Sequence, residues 1–243
     1  MTVDAELHGL VGRRRFVRAA LTGAVAVGAG LVSGSPATST VTTRLNGPRS
    51  ATPESALGEL AAGNRRWRTF HERHPDRTRA VRQALAAGQH PFAVILGCVD
   101  SRVPPELVFD QGLGDLLTVR SAGEVLDEAV LGSIAYGVLE LAIPLVVVLG
   151  HQSCGAVTAA VQAAESGERL PGHMQYLADQ VRPAIDRTLT GAARVDAAIT
   201  ENVRLVRSRL AVEPALSPRI AGKGLAVVGA RYELTSQRVH RIH

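Results

Sequence analysis

"PLVVVLGHQSCGAV", residues 144–157, decides the fold. Residues 145–149 are all leucine or valine, with no polar residue alternating between them. A continuous apolar run of this kind marks a strand buried on both faces, as in a parallel sheet covered by helices. It ends on Gly150 and His151. Three residues later, Cys154 opens a stretch with the composition of a helix. "FAVILGC", residues 92–98, repeats the plan: apolar run, glycine, cysteine. Cys98 and Cys154 are the two cysteines of the chain, and both fall at the C-terminal ends of buried strands. In open α/β sheets that edge is where ligands bind.

Working outward, "DLLTVRSAG" (115–123) is a further strand candidate, and "GLAVVGARYEL" (224–234) with "RVHRIH" (238–243) reads as a final strand pair. Helical patterns separate them. "TPESALGELAAGNRRWRTF" (52–70) has Thr52 as N-cap, Pro53 at the first helical position, and Leu57, Leu60 and Ala61 on one face. Trp67 reads as a packing anchor for this arm. "RAVRQALAAGQHP" (79–91) is a short helix with Gly88 as its C-cap. In residues 125–143, Val125, Ala129, Leu131, Ile134, Val138, Leu141 and Ile143 form a broad apolar face. Residues 154–167 form a helix ending at Gly167, and residues 170–190 and 193–211 supply two more. The alternation predicts an α/β fold. Its sheet is mostly parallel, about four parallel strands plus an antiparallel C-terminal edge strand, flanked by helices and preceded by an N-terminal helical arm.

The chain has 243 residues, 46% of them hydrophobic, enough for a real core. Aromatic residues are only 3%, so alanine, valine and leucine carry the packing. The net charge of +5 is spread along the chain without interleaved aromatics, which argues against nucleic-acid binding. Residues 1–37 read as a signal peptide. Arg13-Arg14-Arg15-Phe16-Val17-Arg18 fits the twin-arginine pattern, and Ala19 to Val32 is apolar but too short for a membrane span of about 20 residues. Cleavage after Ala37 and export are expected; the open alternative is an uncleaved N-terminal anchor helix. Residues 38–52 read as a linker, residues 53–243 as one catalytic domain, and the mature chain is expected to carry no transmembrane span.

The two strands are expected to end side by side, so that their loops bring Cys98, His151 and Cys154 to one point. Two thiolates and an imidazole suit zinc, and three protein ligands leave one position open, the arrangement of a catalytic site. Taken singly, each residue has a plainer reading: a buried cysteine is usually a small hydrophobe, and a lone histidine is usually satisfied by a carbonyl. In "CVDSR", Asp100 and Arg102 follow the first cysteine closely. The guanidinium can grip the carboxylate bidentately. Such a carboxylate either orients a metal-bound hydroxide or takes the fourth metal position itself; the plain alternative is a surface ion pair.

"GCVDSRV", "GHQSCGAV", "PPELVFDQGLGDLLTVRSAG" and "AVLGSIAYGVLELAIPLVVVLGH" together resemble the β-class carbonic anhydrases, over about residues 53–240. The resemblance implies one Zn2+ per chain on Cys98, His151 and Cys154, with Asp100 and Arg102 as the catalytic dyad and Gln111 donating to a substrate oxygen. It implies attack of zinc-bound hydroxide on carbon dioxide, giving bicarbonate and a proton, and assembly as a homodimer or homotetramer. Ile95 stands where the bicarbonate-regulated branch has tryptophan, and Glu124 where asparagine or histidine is common. Two other readings stay open at this point: a related hydrolase of carbon disulfide or carbonyl sulfide, and a non-catalytic zinc or redox module of the cell envelope.

Overall fold

The computed structural model describes residues 52–243. The leader and all of the linker but Thr52 lie outside the described residues. In chain order the elements are α1 (Pro53–Arg68), α2 (Arg79–Leu85), β1 (Ala93–Gly97), α3 (Pro105–Val108), β2 (Leu116–Arg120), α4 (Glu128–Leu139), β3 (Leu145–His151), α5 (Gly155–Ser166), α6 (Met174–Val181), α7 (Gly191–Ala211), α8 (Ser217–Ala221), β4 (Ala226–Tyr232) and β5 (Val239–Ile242). Short 3₁₀ turns lie at Ala122–Glu124 and Arg182–Ala184.

The sheet order is β2-β1-β3-β4-β5, with four parallel strands and β5 antiparallel at the edge. This is the expected architecture. β1 and β3 are direct neighbours, so Gly97 pairs with Leu149 and the two loops that follow lie at one edge. The period of two sends alternate side chains to opposite faces. Val94, Leu96, Val146 and Val148 meet α4 and α7 through Ile134, Val138, Val203 and Val206. Ala93, Ile95, Leu145, Val147 and Leu149 meet α1 and α3 through Ala56, Leu60 and Val108. Gly150 matters for the approach of α7: a Cβ there would lie 2.5 Å from Val203 Cγ2.

Helix α1 begins at Thr52, where Thr52 and Ser55 form a reciprocal capping box. Its buried face differs from the expected one. Ala61 is exposed and Leu57 half-buried, while Ala56, Leu60, Gly63 and Asn64 turn inward. The face is rotated because of one polar residue. Asn64 Nδ2 donates to the carbonyls of Val108 and Gln237, both at 3.0 Å, and its Oδ1 accepts from Val239 N–H at 2.9 Å. Trp67 does anchor the arm, donating from Nε1 to the Tyr232 hydroxyl at 3.1 Å.

Helix α2 stops earlier than expected, with Ala86 rather than Gly88 as C-cap, because three-residue turns replace the helical bonds at its end: Ala86, Ala87 and Gly88 N–H donate to the Gln83, Ala84 and Leu85 carbonyls at 3.3, 3.2 and 3.2 Å. Helix α4 starts only at Glu128, capped by Asp127. Val125 precedes it, Leu141 and Ile143 follow it, and Ala129 is exposed; the buried stripe is Val130, Ile134, Gly137 and Val138. Helix α5 ends as expected on Gly167 at φ 74°. The short α3 and α8 have too few turns to leave a periodic signal in the sequence. No helix among the described residues is long and apolar enough to cross a membrane.

Candidate metal centre

Cys98 follows β1, His151 is the last residue of β3, and Cys154 is the N-cap of α5. Ser153 takes a left-handed φ of 55°, and that bend turns the chain from strand to helix within three residues. The three side chains are buried and their ligand atoms all lie within 4.8 Å of one another. The two sulfurs are 3.9 Å apart and both thiols are free. A disulfide needs about 2.05 Å. Two thiolates at about 2.3 Å from one tetrahedral ion would stand about 3.8 Å apart.

The histidine gives a second, independent fit. His151 Nδ1 lies 2.9 Å from the Gln152 carbonyl, which assigns the proton to Nδ1 and leaves a lone pair on Nε2. That Nε2 is buried and has no hydrogen-bond partner. A buried, unpartnered imidazole nitrogen beside two thiols is the donor set of a zinc ion. The adjacent Cys154 thiol, with the Gly123 N–H, lowers the Cys98 thiol from its ordinary value. The hydrogen bond between the two thiols and burial push the Cys154 thiol up.

Asp100 and Arg102 form the expected grip. Arg102 Nε donates to Oδ1 at 2.9 Å, its Nη2 to Oδ2 at 2.7 Å, and its backbone N–H to Oδ1 at 2.9 Å. Arg102 chiefly holds the Asp100 carboxyl down at about 2, so it is anionic at neutral pH. Asp100 Oδ2 also lies 3.8 Å from His151 Nε2, which places the carboxylate beside the cluster. A cavity of about 340 Å³ opens there, lined by Cys98, Val99, Asp100, Leu170, Met174 and Leu177 among others.

Sequence reasoning missed Arg120. It ends β2 opposite Gly97, and donates from Nε to the Cys98 carbonyl at 2.7 Å and from Nη2 to the Asp100 carbonyl at 2.6 Å. The signal was its place at the end of a parallel strand, on the same edge as the cysteines. Glu124, which stands where asparagine or histidine is common in the family the chain resembles, is buried, and burial holds its carboxyl well above the ordinary carboxylate range. Gln111 is not brought to the cluster. Its amide donates to the Phe109 carbonyl at 2.8 Å, and it does not line the cavity beside Cys98. His71, His74 and His173 are exposed.

Comparison with known proteins agrees with this geometry. The family model described as carbonic anhydrase matches residues 93–239. The chain is 46% identical to carbonic anhydrase 2 of Mycobacterium tuberculosis over 188 residues, 76% of this chain and 91% of that protein. It is 41% identical to a carbonic anhydrase of Mycolicibacterium smegmatis, covering 77% of this chain and 92% of that protein. Among solved structures, the β-carbonic anhydrase CcaA superposes with a TM-score of 0.63 at 26% identity, covering 76% of this chain and 94% of that one.

Proposed function

We propose a function from one premise: the chain belongs to the β-class carbonic anhydrase family, and it is a carbonic anhydrase. The finer reading is reversible hydration of carbon dioxide to bicarbonate and a proton at a single zinc site on Cys98, His151 and Cys154. The observation that carries it is the unpartnered His151 Nε2 facing two free thiols beside a clamped carboxylate. Zinc bound there supplies a Lewis acid that brings the ionisation of water to about pH 7.

The chain's own residues do the rest. Asp100 Oδ1 is occupied by two donors from Arg102, whereas Oδ2 keeps acceptor capacity toward the cluster. Asp100 Oδ2 therefore accepts a hydrogen bond from the attacking water and fixes its orientation. With its carboxyl held so low, Asp100 orients the nucleophile and does not store the proton, which leaves to solvent. Arg102, tethered also toward the Ser153 carbonyl at 3.5 Å, holds that carboxylate in place and would keep it from taking the open position of a bound ion. The largely apolar wall of Val99, Leu170, Met174 and Leu177 suits an apolar gas better than a charged substrate. Gln111 takes no part within one protomer.

The test is stopped-flow hydration of carbon dioxide by the zinc-loaded protein beside Cys154→Ala and Asp100→Asn. Activity in the parent, lost in the first variant and strongly reduced in the second, is expected. One zinc per chain with no hydration at any pH would overturn the reading in favour of another small-molecule hydrolase.

The same reading includes a homodimer or homotetramer. An open groove between α1 and the β4–β5 edge supports it, with an apolar floor that includes Leu57, Val228 and Val239 and a rim of Arg65, Arg68, Arg238 and Arg241, as does the free edge of β2. Light scattering giving a monomer mass at micromolar concentration would refute it. Export through the twin-arginine leader completes the reading. Residues 1–45 fused to a reporter that functions only when exported folded should carry it out of the cytoplasm, and replacing Arg13 and Arg14 by lysine should stop it. Retention of the unaltered fusion would refute it.

A further inference from the structure

The 3₁₀ turn after β2 touches the first ligand. Gly123 N–H donates to Cys98 Sγ at 3.5 Å. Gly123 and Glu124 both lie in the left-handed region, at φ 67° and 54°. Glycine accepts that conformation freely; glutamate does not, so the surroundings must hold it there. Ser121 ties the base of the turn, its N–H donating to the Gly97 carbonyl at 3.1 Å. The far side is held from α7. Asn202 Nδ2 donates to the Gly123 carbonyl at 2.7 Å and reaches Glu124 Oε2 at 3.5 Å.

Asn202 is 1% exposed and stands in the apolar stripe of Ala198, Ile199, Val203 and Val206. Packing alone would be served by an aliphatic side chain at that point. A buried amide is retained only where its hydrogen bonds are needed. Its strong bond goes to the one peptide that joins the two left-handed residues, and so fixes the turn that presents the Gly123 N–H.

We infer that Asn202 is a positioning residue of the metal centre: through the Gly123 carbonyl it aims the Gly123 N–H at the Cys98 sulfur. A hydrogen bond to a metal-bound thiolate draws electron density from it and tunes the ion it holds. The inference rests on the zinc reading above. It assigns to this chain an outer contact on Cys98 that complements the Gln152 carbonyl on His151.

The test uses metal substitution in the full-length protein. With cobalt bound, Asn202→Asp and Asn202→Ser should move the thiolate-to-cobalt absorption band to longer wavelength, because the sulfur becomes the better donor. The midpoint of the pH–rate profile of the zinc forms should rise. Val206→Ala, on the same stripe, should lower the melting temperature and leave the band where it is. The parent protein gives a reading that needs no variant: loaded with spin-active cadmium, the Gly123 amide proton should show scalar coupling to the metal through the Cys98 sulfur. Absence of that coupling, or a folded Asn202 variant with an unmoved band, overturns the inference. Failure of the parent to bind any of the three metals overturns the zinc reading and this one with it.

Discussion

Replacing Arg120 by methionine removes the one side chain that ties both ends of the Cys98–Asp100 segment to the neighbouring strand. Its guanidinium reaches the Cys98 and Asp100 carbonyls at 2.7 and 2.6 Å. The first carbonyl belongs to the proposed metal ligand Cys98 and the second to Asp100, the carboxylate proposed to orient water. Charge-assisted bonds of this kind contribute about 1.5–3 kcal/mol each when sheltered. Arg120 is exposed, so about 1 kcal/mol each is the appropriate figure, or about 2 kcal/mol for the pair. If that free energy serves to hold the loop in its reactive geometry, its loss slows the reaction about 30-fold, at about 1.4 kcal/mol per factor of ten.

The assay is stopped-flow hydration of carbon dioxide, with zinc content measured on the same samples. Arg120→Met should lower kcat/KM about 30-fold while retaining most of its zinc, since all three ligands remain. Arg120→Lys should recover only part of the loss, because an ammonium is a point donor and lacks the fork that spans two carbonyls. A methionine variant within threefold of the parent at full zinc occupancy would refute the reasoning: the loop would then be held by Arg102 and the local turn alone.

Further outcomes follow from the same geometry. His151→Ala should bind zinc at least tenfold more weakly in a chelator competition, since it deletes the buried nitrogen that has no other partner. Gly150→Ala should destabilise the fold by about 1–3 kcal/mol in urea, because the new Cβ meets Val203 Cγ2 at 2.5 Å; Val203→Ala in the same chain should recover part of that loss. Burial pushes the Asp110 carboxyl up, but the Arg73 N–H, the Arg66 guanidinium and the His74 N–H outweigh it and hold it below the ordinary 3.8. A carboxyl depressed in the folded state stabilises above its unfolded pKa, and that contribution is lost as pH falls through the folded value. Asp110→Asn should therefore be less stable than the parent at pH 6, with the gap closing below about pH 4. A gap that persists unchanged at pH 2 would show that the hydrogen-bonding shape of the side chain matters and its charge does not.

What the sequence made legible was set by where the governing interaction lies along the chain. The strands and the cysteine–histidine cluster were readable because the signal is local: an unbroken apolar run, a glycine, and a cysteine or histidine at each strand end. Adjacency of β1 and β3, which β2 separates in the chain, was read from the cysteine or histidine at the end of each, and the register agrees. Asp100 and Arg102 are two positions apart, so their pairing was also within local reach. The contacts that escaped are those whose partners lie far along the chain. Asn64 is satisfied by residues 44 and 173–175 positions away, and it rotates the buried face of α1 by doing so. Asn202 reaches across 79 positions to the Gly123 carbonyl. In a linear reading both are single polar residues on helices, indistinguishable from solvated ones. Gln111 is the opposite case. A motif marked it, yet within one protomer its amide is committed to the Phe109 carbonyl two residues back. A motif records which residue types occur together, and only the packing decides which of them share a site. The candidate metal centre was therefore legible as a set of donor residues, whereas the contacts around it, Arg120 on the Cys98 and Asp100 carbonyls and Asn202 on the Gly123 carbonyl, needed the register of β2 and the approach of α7 to be known.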